Sequence, residues 1–246
     1  MRLALITDLH ANYEALSACL AHAHKQGVDQ YAFTGDLVGY GGAPGPVVDT
    51  VMEYVARGAI AVQGNHDLAA TQTARPQMNT EARMVLDWTR EQLSDTHCSF
   101  LAQLPLTREV GGMMFVHASA HAPEQWEYVR GIEQAERSLR ATSCKMVFSG
   151  HVHKPALYRL ADDGRVGGAH PGAEPIAIKP QHQYLVIPGS CGQPRDGNSA
   201  ACYALYDDRS RVLHYYRVPY DHGAAARRII AADLPIVFAM RLVEGI

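Results

Sequence analysis

No two cysteines form a C-x-x-C, and the five present (Cys19, Cys98, Cys144, Cys191 and Cys202) are odd in number. A disulfide scaffold and a cysteine zinc knuckle are both disfavoured, and a reducing compartment is expected. No apolar run approaches the roughly 18–20 residues of a membrane span. The apolar start over residues 1–7 is too short for a secretory signal and runs into a charged motif without a small-residue cleavage site. A soluble, cytoplasmic protein with no membrane partner is the expectation. A basic excess is missing too: 22 basic and 25 acidic residues give a net charge of -3. Neither duplex nucleic acid nor an anionic membrane is advertised as a partner. Gly 21 and Pro 13 occur without a period, which excludes a collagen-like or low-complexity chain.

What the sequence has is the means to build a core. Hydrophobic residues make up 47% of the 246 and charged residues 19%, a globular balance. No internal repeat and no linker-like stretch stands out, so one domain over residues 1–246 is expected. Histidine is abundant, with 13 residues.

The first half alternates strand and helix patterns. Strands are read at 3–7, 31–34 and 60–62, and helices at 14–25 and 46–56. Residues 79–104 carry one or two further helices, with a core stripe of Met84, Val85, Trp88 and Leu93. This β-α-β-α-β order predicts a mostly parallel sheet of the α/β class. The second half is strand-rich, at 113–116, 146–148, 156–160, 184–187, 202–206 and 212–218, with Asp207 to Ser210 as a hairpin turn. Two packed sheets flanked by helices are expected. Residues 162–182 read as a long irregular loop. Helical stretches at 224–232 and 236–242 close the chain.

Five polar clusters follow strand-like runs: Asp8-Leu9-His10, Gly35-Asp36, Gly64-Asn65-His66-Asp67, Val116-His117, and Gly150-His151-Val152-His153. The carboxyl ends of strands are where α/β proteins build sites. On extended backbone, residues two apart point the same way, so Asp8 and His10 can share a point, as can His151 and His153. The preceding glycines permit close approach. Two carboxylates, one amide oxygen and four imidazoles exceed the needs of one divalent ion and suit two ions sharing a carboxylate. Mixed N/O donors without thiolate favour manganese, iron, zinc, cobalt or nickel over magnesium or calcium alone. Taken singly, each cluster reads equally as surface or core polar residues; five together do not.

This set, in this order, resembles the calcineurin-like metallophosphoesterase superfamily, whose pattern is D-x-H, G-D, G-N-H-D or E, H, and G-H-x-H. The run Pro188-Gly-Ser-Cys-Gly-Gln-Pro-Arg195, followed by residues 201–207, resembles a C-terminal signature of the small bacterial and archaeal phosphodiesterase branch. The resemblance implies a four-layer α/β/β/α sandwich of two mixed sheets. It implies one ion on Asp8, His10, Asp36 and His153, and a second on Asp36, Asn65, His117 and His151, with manganese first among the metals. The implied reaction is hydrolysis of a small phosphate ester by a hydroxide held between the ions, with His66 as general acid. Asp67 either orients His66 as part of the catalytic pair or makes a helix cap or loop hydrogen bond.

Relatives acting on phosphoproteins or diadenosine tetraphosphate carry an arginine where this chain has Tyr40. Tyrosine offers no bidentate phosphate fork, and the reading favours a phosphodiester over a phosphoprotein. A phosphomonoester or nucleotide substrate, or a non-catalytic interaction scaffold on the same fold, are the alternatives. Substrate contacts are expected from Tyr40 and from Arg195 (or a structural role in its turn); Asn12 is read first as a helix N-cap, with a substrate contact as the alternative. Trp126 and Tyr128 are candidates for a base-stacking wall or for core packing. His121 is close enough in sequence to His117 to be a further candidate. A homo-oligomer is an open possibility.

Overall fold

The run Leu3-Ala4-Leu5-Ile6 is buried on both faces, as a central strand between two apolar layers must be. Leu3 and Leu5 face one core, and Ala4 and Ile6 face another. The rest of the architecture extends this alternation. The computed structural model describes residues 1–72 and 80–246.

The elements in chain order are β1 (Arg2–Ile6), α1 (Tyr13–Lys25), β2 (Gln30–Phe33), α2 (Pro44–Ala56), β3 (Ile60–Ala61), α3 (Asn65–Thr71), α4 (Thr80–Gln92), α5 (Asp95–Gln103), β4 (Thr107–Val110), β5 (Met113–Val116), α6 (Ile132–Arg140), β6 (Met146–Phe148), β7 (Ala156–Leu160), β8 (Val166–Ala169), β9 (Ile176–Ala177), β10 (Gln183–Ile187), β11 (Ala201–Asp207), β12 (Val212–Val218), α7 (His222–Ala231) and α8 (Ile236–Glu244). They form two mixed sheets, ordered β3-β2-β1-β11-β12-β9 and β4-β5-β6-β10-β7-β8. In the first, β1, β2 and β3 are parallel and β11 runs against β1. In the second, β5, β6 and β10 are parallel.

Between the sheets lies an apolar layer containing Leu3, Leu5, Phe115, Phe148, Val186 and Leu213. Helices α1 and α2 cover the outer face of the first sheet through Leu16, Cys19, Val47 and Val51. Helix α6 covers the second through Ala135 and Leu139. The result is the expected α/β/β/α sandwich, with α4, α7 and α8 sharing a satellite core around Val85, Ile229 and Phe238. Among the described residues, no helix is long and apolar enough to cross a membrane. The five cysteines are unpaired.

Several readings need correction. The stretch 162–182 is not structureless: β8 pairs with β7 and β9 with β12, so the chain crosses here from one sheet to the other. Glycine-rich, exposed edge strands carry no hydrophobic alternation, which is why the pattern is silent there. Helix α6 is charge-rich and buries only Ala135, Ser138 and Leu139, too narrow a stripe to register. Met84 is 53% exposed rather than core. Asn79, the first residue of the expected helical stretch, lies outside the described residues.

Candidate metal centre

Every predicted ligand follows a strand of the parallel segments. Asp8 follows β1, Asp36 follows β2, Asn65 opens α3 just after β3, His117 follows β5, and His151 and His153 follow β6. The two sheets present these ends side by side, so residues from both halves of the chain meet.

The local reason is not the pleat. Asp8, His10, Asp36, His151 and His153 all have positive φ, between 45° and 68°, so each sits in the left-handed region rather than on extended backbone. Such residues persist only where the surroundings hold them, and they gather at functional sites. The convergence of Asp8 with His10, and of His151 with His153, is therefore made by kinked loops, correcting the expectation from strand periodicity. Two glycines allow the loops to close. A Cβ at Gly64 would strike the amide and carboxylate of Asp36, and one at Gly150 would lie 2.7 Å from Asp8 Oδ2.

Among the described residues the side chains form three overlapping groups: Asp8, His10 and His153; His10, Asp36 and His66; and Asp36, His117 and His151. All of these residues are buried. His10 Nδ1 contacts the Val38 carbonyl at 3.2 Å, and His153 Nδ1 contacts the Gln193 carbonyl at 2.6 Å. A carbonyl only accepts, so both Nδ1 atoms carry the proton and both Nε2 atoms present lone pairs. Those Nε2 atoms face each other at 3.0 Å, with Asp8 Oδ1 3.4 Å from His153 Nε2. Acceptors turned on one another in a dry interior are unfavourable unless a cation lies among them. The second group repeats the arrangement. His117 Nδ1 donates to the Thr34 carbonyl at 2.8 Å, and its Nε2 lies 3.1 Å from His151 Nδ1. Asp36 Oδ2 joins the groups, 3.7 Å from His10 Nε2 and 3.3 Å from His117 Nε2. Asn65 Oδ1, the atom an amide ligand would use, is buried without a hydrogen-bond partner among the described residues. The donor set fits a pair of divalent cations: imidazole nitrogens and carboxylate and amide oxygens, no thiolate, and orphaned acceptors.

Electrostatics agree. Burial pushes His10 and His153 well below the ordinary histidine range and His151 to about 3, so these rings stay neutral. Burial also raises Asp8 to about 7, helped by Asp36. Against its burial, the neighbouring His117, His66 and His10 hold Asp36 well below the usual carboxylate range. His117 goes the other way, up to about 9, because Asp36 and Asp8 outweigh its burial. A proton on its Nε2 would stand where a cation competes for the same lone pairs.

The remaining candidates divide. His66 is buried beside His10 (ring centroids 5.1 Å apart), and its Nε2 meets the Tyr40 hydroxyl at 3.1 Å. Tyr40 stacks on Phe238 of α8, and the Arg195 guanidinium lies 5.5 Å over the Tyr40 ring. Arg195 is fixed by Gln193 Oε1 at 2.7 Å. Asp67 does not orient His66: its Oδ1 accepts from the Leu37 and Val38 amides at 2.8 and 3.2 Å, and its Oδ2 from Gly64 at 2.9 Å. It braces the loop after β2 that carries Asp36 against the start of α3, where Asn65 stands. Asn12 is likewise occupied. Its Oδ1 caps α1 through Ala15 N, and its Nδ2 donates to Gly192 O and Tyr220 Oη, leaving no free atom for substrate. The structure thus assigns Asn12 the cap rather than the substrate contact. Tyr128 is 38% exposed and stacks on His151 at 3.9 Å, so it is no core residue. His121 is exposed and joins no ligand group among the described residues. Sequence reasoning missed Tyr40 as the partner of His66, since nothing local links two residues 26 apart.

A family model described as the calcineurin-like phosphoesterase superfamily domain matches residues 1–211. An uncharacterised protein of Methanocaldococcus jannaschii is 31% identical over 99% of this chain and 98% of its own length. Among solved structures, a metallophosphoesterase from Sphaerobacter thermophilus is 33% identical, with a TM-score of 0.89 over 100% of this chain and 99% of that one. A hypothetical protein from Pyrococcus horikoshii shares the fold at 20% identity, with a TM-score of 0.80 over 99% of this chain and 98% of that one.

Proposed function

The chain belongs to the calcineurin-like phosphoesterase superfamily, and from that premise we propose a dinuclear-metal-dependent phosphoesterase that prefers phosphodiesters. The observation that carries the reading is the place of Asp36 Oδ2 between His10 Nε2 and His117 Nε2, which makes two ligand groups into one centre. Asp8, His10, Asp36 and His153 would hold one ion, and Asp36, Asn65, His117 and His151 the other, with manganese the first choice among N/O-loving divalent metals. When bound, such a pair supplies Lewis acidity to the phosphoryl oxygens and lowers the pKa of water.

The chain's own residues supply the rest. His66 lies beside the ligands with its Nε2 at the Tyr40 hydroxyl, and burial lowers its hold on a proton even though Asp36 opposes this. A protonated ring there is a stronger acid toward a leaving oxygen. The Tyr40 hydroxyl fixes the orientation of that ring. Arg195 adds one positive charge above Tyr40, and the absence of an arginine at Tyr40 itself suits a diester, which carries less charge than a monoester.

The test is a panel of chromogenic phosphodiesters and monoesters assayed with several divalent ions, alongside metal analysis. The expectation is two ions per chain, turnover highest on a diester, and His66→Ala with full metal content but turnover reduced by about 10²–10⁴-fold. Two bound ions with no hydrolysis of any ester would support a scaffold instead. Full activity in metal-loaded His66→Ala would remove the acid role.

A further inference from the structure

A cavity of about 430 Å³ opens beside the ligand loop, within the size range of small-molecule sites. Val152, which stands between His151 and His153, forms part of its wall. Arg130, Lys154 and Arg195 converge on it, and no carboxylate lines it. Among the described residues these three cations have no carboxylate partner, whereas the acids next to them in the chain are engaged elsewhere: Glu127 pairs with Arg137 and Asp196 with Arg217. Unneutralised cations gathered around a concave surface focus a positive potential there.

The lining between the cations is apolar and aromatic, from Val129, Val152 and Tyr158. The approach from the centre is a continuous stack: Tyr128 lies on His151 at 3.9 Å, and the Arg130 guanidinium lies 4.1 Å over Tyr128. The stack sets the Arg130 guanidinium on the side of Tyr128 that leads to the cavity it lines.

We infer that the cavity binds a second phosphate of the substrate, so that the preferred ester carries a phosphate beyond the one hydrolysed, joined by a spacer of nucleoside size. This deepens, and rests on, the phosphoesterase reading. Two probes isolate the pocket: thymidine 5′-(4-nitrophenyl phosphate) and the same compound bearing a 3′-phosphate. Their kcat/KM ratio cancels damage common to both, including any effect of a change beside His153. The wild-type ratio is expected to favour the 3′-phosphorylated probe by about tenfold, the worth of one good contact to a charged group. Lys154→Glu and Arg130→Glu, made separately, should each abolish the preference. Arg108→Glu, on a surface cation lining a different cavity, should keep it.

Equal kcat/KM for the two probes in the wild type, or a preference that survives both Lys154→Glu and Arg130→Glu, overturns the inference. Should neither probe be hydrolysed, that counts against the phosphoesterase reading, and titration calorimetry decides the pocket separately. Thymidine 3′,5′-bisphosphate binding more tightly than thymidine 5′-monophosphate, with the difference lost in Lys154→Glu, supports the second-phosphate site; equal binding refutes it.

Discussion

Replacing Asp67 by alanine tests whether this buried carboxylate is a brace or a catalytic partner. Its side chain is inaccessible to solvent, and its oxygens take up the amides of Leu37, Val38 and Gly64. Removing the carboxylate strands three buried donors. Each costs about 1–3 kcal/mol when left without an acceptor, so the sum is about 3–9 kcal/mol, with water entering the vacated space favouring the low end. Against a native stability of ~5–15 kcal/mol, a loss of even 3 to 4 kcal/mol is large. Asp67→Asn should fall between alanine and wild type. Its single oxygen can keep the Leu37 and Val38 bonds, both made to Oδ1, but its amide group then confronts the Gly64 N–H. Urea denaturation in the presence of a chelator measures these differences without any contribution from bound ions. The expected order is wild type, Asn, Ala. Burial and the nearby Asp36 push the Asp67 carboxyl up to about 7, so its removal also relieves a buried charge; an alanine variant as stable as wild type or more stable would refute the brace. A variant of native stability with a slowed kcat would restore the catalytic role.

Asp36→Asn keeps the bond from His66 N to Oδ1, 2.9 Å long in the native chain, but weakens the shared donor. Elemental analysis should find fewer than two ions per chain, and a variant that retains both would defeat the bridging assignment. Tyr40→Phe removes the hydroxyl at His66 Nε2 while preserving the stack on Phe238. Metal content should stay at the wild-type level and kcat should drop by about tenfold, in line with one hydrogen bond to a group that charges; unchanged kcat would show that the ring needs no such partner. Cys98 is the partly exposed cysteine, the other four being buried, and burial pushes the Cys202 thiol up to about 12. Titration with a disulfide reagent at pH 8 should label one thiol quickly in the native protein and the rest only on unfolding. Rapid labelling of two or more would contradict the burial.

A base-stacking role for the wall after His117 was legible only as an option among residues, because exposure cannot be read from two aromatic residues in an irregular loop. Tyr128 turned out to stand on His151 and to lead toward Arg130. Asn12 and Asp67 are the complementary case, two roles open in the sequence and one chosen by the fold. Each is polar and two residues from a candidate ligand, and each is engaged elsewhere, Asp67 by backbone amides and Asn12 by backbone groups and the Tyr220 hydroxyl. Adjacency in the chain says that a side chain is near a site, whereas its hydrogen-bond partners say what it does there.

The alternation of apolar runs with Gly- and Asp-marked turns placed the central strands and most helices, and the order of polar clusters at strand ends named the candidate ligands that the fold brings together. Both are short-range properties: burial periodicity acts over a few residues, and a metal ligand's chemistry belongs to its own side chain. Tertiary structure alone decided the left-handed backbone at Asp8, His10, Asp36, His151 and His153, the crossing of residues 166–177 between sheets, the pairing of Tyr40 with His66, and the gathering of Arg130, Lys154 and Arg195 at one cavity. Each of these joins residues far apart in the chain or imposes a strained conformation that only surrounding contacts can hold.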